Sequence, residues 1–355
     1  MRVIFDVRHL YYLPQFLPVY EQLKRQSVEL SFVFYHSDFD SVVQDIIEAH
    51  QLAAIWVTDE KASAQYYLEQ KATWVIFGNG YTQLETVHKV SKSVQLGHGI
   101  GPKTSYYTKS NDSTTVRFVE GAYRTQRLEA LYPQDNFVDV GFCKLDPVLN
   151  GSTSGMDLQA LGLDPKKPTL VYAPTFYPSS IERFSKRWPK EFAEYNILIK
   201  PHYFSLSKKR YKKQKKLLTH WRSYDNVYLA QEQDYSLLPF LATADVLISD
   251  ASSALFEFAA LNKPIVWCDF LKLRWSYRSV LRFRFNNRMD EDYEKYADIG
   301  IHARSYKSLK TIVNSQINHP AQYAKQRLDY AEQLAGRLDG KASERIVEYL
   351  MMHKG

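Results

Sequence analysis

The chain has 355 residues, 45% hydrophobic and 24% charged, which is long for one core and comfortable for two domains, and excludes a disordered or fibrous protein. Basic residues outnumber acidic ones 46 to 39, and the resulting +7 favours anionic partners: nucleotide phosphates, acidic lipid surfaces or a polyanionic polymer. Two cysteines, Cys143 and Cys268, make neither a disulfide framework nor a zinc set; at the ends of apolar runs they read as buried free thiols in a reducing compartment.

The opening stretch, MRVIFDVRHLYYLPQF, holds no apolar run of signal-peptide length. No segment reaches the roughly 18 consecutive apolar residues that suggest a membrane span. Attachment to a membrane surface stays open.

In chain order, the pattern predicts strands over 3–7, 30–35, 54–58, 73–77, 93–96 and 137–140, and helices over 14–25, 40–50, 61–70, 81–90 and 121–131. Strands alternating with helices imply a parallel sheet covered on both faces. The turn-rich stretch from Asp146 to Pro168, with GSTSG and DPKKP, marks a domain boundary. A second alternation follows, with strands over 169–173, 196–200 and 227–229 and a helix over 235–242.

The stretch ADVLISDASSALFEFAALNKPIVWCDF then reads as strand, turn, helix and strand. Asp250, Ala251, Ser252 and Ser253 form its turn, Asn262 can end the helix, and Pro264 cannot continue it. That turn lies at the carboxyl end of a strand, where open α/β sheets bind ligands. Two serines at a helix start suit a phosphate. The end of the chain, 322–352, is helical in pattern and interrupted at Gly336 and Gly340. The fold class is therefore α/β, of the glycosyltransferase-B (GT-B) type: two Rossmann-like domains facing a central cleft, with a C-terminal crossover helix. The expected boundaries are 1–150, 151–325 and 326–355, the last being helices that pack back toward the N-terminal domain.

Three clusters could carry chemistry, each at a predicted strand end. His98, in LGHGIGPK, sits between glycines that let a substrate approach, and a neutral imidazole there could take a proton from a hydroxyl. Lys103 could hold a phosphate charge nearby. Taken alone, His98 is as well explained by a turn that caps the strand. His202, in Lys200-Pro201-His202, could donate to a phosphate oxygen, or simply bond backbone. In the third cluster, Ser252 and Ser253 suit phosphate, and Glu257 suits a ribose or polyol hydroxyl. The plainer readings are an N-cap for Ser252 and a surface carboxylate complementing the helix dipole for Glu257.

The run KKRYKKQKK, 208–216, reads first as a solvated helix or loop, and otherwise as a surface for an anionic membrane or acidic polymer. Arg274, Arg278 and Arg282, with Trp275 and Phe283, would share one face of a helix. The metalloprotease, P-loop and hydrolase motifs are absent, as is an Asp-x-Asp metal motif.

These motifs together resemble the CDP-glycerol glycerophosphotransferase family, the teichoic acid polymerases and primases. HGIGPK stands for its HGTPLK element, Tyr172-Ala173-Pro174-Thr175-Phe176 for YAPTW, and Lys200-Pro201-His202 for its KxH element. Ala244–Phe258 resembles ADVLITDYSSVxFDF, with Ala251 in place of Tyr and Glu257 in place of Asp, and 339–345 resembles DGxASER. The resemblance implies an N-terminal acceptor domain and a C-terminal nucleotide-donor domain. It implies transfer of a polyol phosphate from a CDP-linked donor to a lipid-linked or polymeric cell-surface glycan. It further implies His98 as base, His202 and Asp250 in the catalytic set, and Lys103, Thr175, Ser252, Ser253 and Glu257 on the donor. No metal, cofactor or nucleic acid follows from it, and the enzyme would be cytoplasmic and membrane-peripheral. A sugar-nucleotide glycosyltransferase or UDP-sugar epimerase of the same fold is the alternative enzyme. A non-catalytic polyanion-binding protein built on the basic run is the alternative class.

Overall fold

The computed structural model describes residues 1–97, 99–102, 105–108, 112–273 and 291–355. His98, Lys103 and the 274–283 arginine stretch therefore lie outside the described residues. The chain forms two compact units: Met1–Ser152 with Glu332–Gly355, and Thr153–Ala331.

In the first unit, the described strands are β1 (Arg2–Val7), β2 (Glu29–Tyr35), β3 (Ala54–Val57), β4 (Trp74–Phe77), β5 (Lys92–Gln95), β6 (Val116–Val119) and β7 (Phe137–Asp139). They form one sheet in the order β3-β2-β1-β4-β5-β6-β7, with parallel pairing throughout. Val3, Ile4 and Phe5 of the central β1 are fully buried, as a strand covered on both faces requires. Pro14 falls in the first turn of helix Leu13–Lys24, where its missing N–H costs nothing. Asp59 caps helix Glu60–Gln70 by accepting from Lys61 N and Ala62 N.

The C-terminal helix Ala342–Met352 belongs to this unit and packs on helix Leu13–Lys24. Two bonds pin it. Trp74 Nε1 donates to Leu350 O at 3.2 Å. The buried Asp146 accepts from Ser343 N and Ser343 Oγ, each at 2.6 Å.

In the second unit, β8 (Thr169–Ala173), β9 (Asn196–Ile199), β10 (Val227–Leu229), β11 (Val246–Ser249), β12 (Ile265–Cys268) and β13 (Ile301–Ala303) form a parallel sheet in the order β10-β9-β8-β11-β12-β13. Its core gathers Tyr172, Phe184, Trp188 and Trp221 beside the strands. Asn262 takes φ 52, in the left-handed region, shortly after helix Ser253–Ala259. Both cysteines are buried and free.

Three differences from the sequence reading have physical causes. Strand β6 was not expected, because Arg117 interrupts its apolar run, yet Arg117 is only 4% exposed. The helix expected over 81–90 is reduced to Leu84–Val87. Strand β13 and helix Tyr306–Asn318 were not expected; β13 has only three residues, and Gly300 before it lies close against Ile265 of β12.

Candidate active site

The second sheet reverses its order between β8 and β11, and the loops that leave β9, β8 and β11 lie side by side there. After β8, Pro174-Thr175-Phe176 runs on into Ser179 and Ser180, and after β11 comes Asp250.

Asp250 has no exposed surface. Its carboxylate accepts from Thr175 N at 3.1 Å, Ser179 Oγ at 3.2 Å, Ser180 N at 3.2 Å and Ser180 Oγ at 2.5 Å. Tyr172 Oη pairs with Ser180 Oγ at 2.7 Å. Burial pushes the Asp250 carboxyl up to about 6, against the pull of the Ser180, Ser179 and Thr175 hydrogen bonds. Asp250 thus ties the β8 loop to the β11 turn. Thr175 is drawn into the same tie, and its hydroxyl donates to Pro178 O at 2.5 Å.

His202 is exposed at the end of β9, and Pro201 behind it is buried. Its ring lies 4.5 Å from that of Phe176 and 4.9 Å from that of Phe204. Nδ1 accepts from Phe204 N at 3.2 Å, so the neutral ring carries its proton on Nε2, a donor for an anionic oxygen. His202, Phe176, Thr175 and Asp250 are therefore linked by direct contacts within one unit.

Ser252 is the N-cap of helix Ser253–Ala259, and its hydroxyl accepts from Ala254 N at 3.3 Å. Ser252 and Ser253 both reach the surface beside Asp250. Glu257 is corrected: at 2% exposure it is not a surface carboxylate, and little of it is open to a ribose or polyol.

In the first unit, the stretch from Gly99 to Gly101 is held from below. Gly97 has φ +72 and Gly101 φ +115, both in the left-handed region. A Cβ on Gly99 would lie 2.6 Å from Tyr106 Oη. Arg124, 3% exposed, donates to Glu120 Oε2 at 2.6 Å, to Gly99 O at 3.3 Å and to Gly101 O at 3.4 Å. Its guanidinium lies over the Tyr106 ring, 5.0 Å from the centroid. Burial pushes the Glu120 carboxyl up, while Arg124 and Arg117 pull it the other way. Sequence reasoning missed this clamp, although its signal was present: Glu and Arg four apart across a strand-to-helix turn.

The basic run is a short 3-10 turn, Lys209–Tyr211, leading into helix Lys212–Trp221. Gln214, Leu218 and Trp221 are buried, while Lys212, Lys213, Lys215 and Lys216 face out. Among the described residues, no group of three His, Cys, Asp or Glu side chains is placed to hold a metal ion, and no helix is long and apolar enough to cross a membrane.

Two parallel-sheet units and a final helix that belongs to the first unit define an α/β protein of the GT-B type. The family profile of CDP-Glycerol:Poly(glycerophosphate) glycerophosphotransferase matches residues 2–352, and the chain belongs to that family. It is similar to the teichoic acid glycerol-phosphate primase of Bacillus subtilis (strain 168), 23% identical over 307 residues that cover 78% of this chain and 73% of the relative. Among solved structures it resembles the wall teichoic acid polymerase TagF, with a TM-score of 0.68 and 16% identity over 99% of this chain and 88% of the other. It also resembles the UDP-GlcNAc 2-epimerase of Neisseria meningitidis, with a TM-score of 0.59 and 14% identity over 99% of this chain and 100% of the other. Likenesses at these identities show the GT-B fold, which transferases and epimerases share. The family match decides between the two: the chain is a glycerophosphotransferase-family enzyme, not an epimerase.

Proposed function

We propose that the protein transfers glycerol phosphate, or another polyol phosphate, from a CDP-linked donor to a hydroxyl of a lipid-linked or polymeric teichoic-acid-type glycan. The acceptor oxygen attacks the donor's β-phosphorus and gives its proton to His98. The bond from that phosphorus to the bridging oxygen breaks, and CMP leaves with the electron pair. Such transfer depends on positioning and on meeting developing charge, which this chain's own donors can supply without a resident cofactor.

The observation that carries the reading is His202. It stands exposed at a strand end, and its Nδ1 accepts from Phe204 N, which favours the tautomer with Nε2–H, the form that can donate to a phosphate oxygen. Ser252, Ser253 and Lys103 add donors to the CDP-linked substrate. Thr175 and Glu257 shape the donor pocket from partly or wholly buried positions, and Asp250 sets the β8 loop against it. On this reading the first unit takes the acceptor and the second the donor. The lysine face of helix Lys212–Trp221 docks on the anionic cytoplasmic face of the membrane, where a lipid-linked acceptor is found.

The test is nucleotide release with CDP-glycerol, CDP-ribitol, UDP-GlcNAc and UDP-Glc as donors and a lipid-linked acceptor mixture. CMP release from a CDP-polyol that disappears in His98→Ala and falls steeply in His202→Ala is the expected result. UMP or UDP release would overturn the donor assignment.

A further inference from the structure

The second unit has a cavity of about 300 Å³ at the carboxyl ends of β12 and β13, lined by Arg183, Phe270, Leu271, Arg304, Ser305 and Tyr306. Phe270 and Leu271 leave β12, and Arg304, Ser305 and Tyr306 leave β13. Arg183 ends the 3-10 turn Ile181–Arg183, which follows the β8 loop. That loop is held against the one after β12, because Lys272 N donates to Ser179 O at 2.9 Å. Ser179 and Ser180 are bonded to Asp250, and Arg183 N donates to Ser180 O at 2.7 Å. The backbone that carries Arg183 is therefore anchored to the Asp250 network.

Charge in this cavity is unbalanced. Arg183 and Arg304 are exposed, and among the described residues neither guanidinium holds a hydrogen bond or an ion pair. The carboxylates nearby are taken: Glu182 by Lys272 Nζ at 3.1 Å, Asp269 by His302 Nδ1 at 2.8 Å, and Glu191 by the Tyr306 hydroxyl. Two guanidiniums on one cavity repel each other unless an anion sits with them, and a phosphate offers each the forked set of acceptors it prefers. Ser305 is the N-cap of helix Tyr306–Asn318, so the positive end of that helix adds to the same field. Phe270 and Leu271 supply an apolar wall for the C–H groups of a short polyol.

The anion is not the donor's pyrophosphate. In the sheet, β9, which leads to His202, is separated from β12 by β8 and β11. At about 4.8 Å per strand, the cavity stands roughly 15 Å from His202, beyond the span of one pyrophosphate. A CDP-linked donor carries its charge in that one group, so the arginines need an anion from another molecule.

We infer that Arg183 and Arg304 form a second phosphate site, which holds a phosphodiester of a poly(glycerol phosphate) chain away from the end that reacts. The naming of that chain as the acceptor rests on the proposed transfer reaction.

The experiment uses the full chain with oligo(glycerol phosphate), inorganic phosphate and CDP-glycerol, and reads calorimetric affinity and the KM values in CMP release. Arg183→Gln with Arg304→Gln should weaken oligomer binding and raise the acceptor KM, each roughly ten-fold or more, with the KM for CDP-glycerol within about two-fold of wild type. The retained donor KM shows that the variant folds. Arg183→Lys with Arg304→Lys keeps the charge without the fork, and should fall between that variant and wild type. Unchanged oligomer affinity in the glutamine variant overturns the site. A raised KM for CDP-glycerol also overturns it, by giving the cavity to the donor. Inorganic phosphate that binds wild type as tightly as the oligomer does would leave a free-anion site and refute the chain assignment. If wild type releases no CMP from any CDP-polyol, the transfer reading fails on its own. Calorimetry then decides the site: oligomer binding that the glutamine variant loses supports it, and no binding in wild type refutes it.

Discussion

The two turns assigned to the chemistry are held by opposite means. In the first unit, a buried ion pair between Glu120 and Arg124 grips the carbonyls of Gly99 and Gly101. In the second, a single buried carboxylate, Asp250, collects backbone and hydroxyl donors from the β8 loop. A pair brings its own countercharge and tolerates pH changes. A lone carboxylate is balanced only by dipoles, so burial lifts it to about 6, and its hold depends on pH. The comparison teaches that each turn is set by a buried group: an ion pair beneath the first, and in the second its own Asp250, tied to the β8 loop.

The largest expected effect is at the first turn itself. His98→Ala should lower kcat by about 1,000-fold or more, with CDP-glycerol affinity measured by calorimetry nearly unchanged. Lost donor affinity would move His98 to the donor side.

The clamp beneath it comes next. Arg124→Met alone takes from the buried Glu120 its hydrogen-bonded countercharge, leaving only Arg117, and should destabilise the chain by about 3 kcal/mol in urea titrations. The double change Glu120→Leu with Arg124→Met removes both members of the pair and should recover part of that loss, Arg117 keeping its bond to Tyr106 O. It should still lower kcat roughly 100-fold, because the carbonyls of Gly99 and Gly101 lose their partner. A double variant with wild-type kcat would reduce the clamp to packing.

At the second turn, Asp250→Ala strands the donors of Thr175, Ser179 and Ser180 and should cost about 2–3 kcal/mol. Its pH dependence has a definite sign. The folded state holds the Asp250 proton more tightly than the unfolded state does, since its pKa is raised from 3.8 to about 6. This contribution therefore favours the fold most below pH 4, is lost as pH rises through 6, and stays flat above. The urea midpoint of wild type minus that of Asp250→Asn should fall between pH 4 and pH 7; a flat difference would refute the assignment.

The smallest effect is at the helix start. Ser252→Ala removes an N-cap and should cost about 1 kcal/mol. Together with Ser253→Ala it should also weaken CDP-glycerol binding, and unchanged affinity would leave Ser252 as a cap alone.

Most strands were legible in the sequence because a strand buried on both faces is written as a run of apolar residues, as in Val3–Phe5 and Ile197–Ile199. The turns after them were legible through Gly, Asp, Ser and Pro. Strand β6 was not, because its buried Arg117 looks polar until its partners are known: Tyr106 O accepts from it at 2.9 Å. The burial of Glu257 and Asp250 was not legible either, since a sequence shows a charge but not how deeply it is buried.

What the sequence by itself determined is thus the alternation of elements and the residue types at the strand ends, both of which depend on neighbours a few positions away. Tertiary structure decided which of those residues face solvent and which brace the turn. It joined Asp250 to Thr175, 75 residues apart, and seated Asp146 beneath Ser343, 197 residues on. Such contacts are decided by how the strands are ordered in a sheet, and strand order is a property of the packed chain rather than of any local pattern.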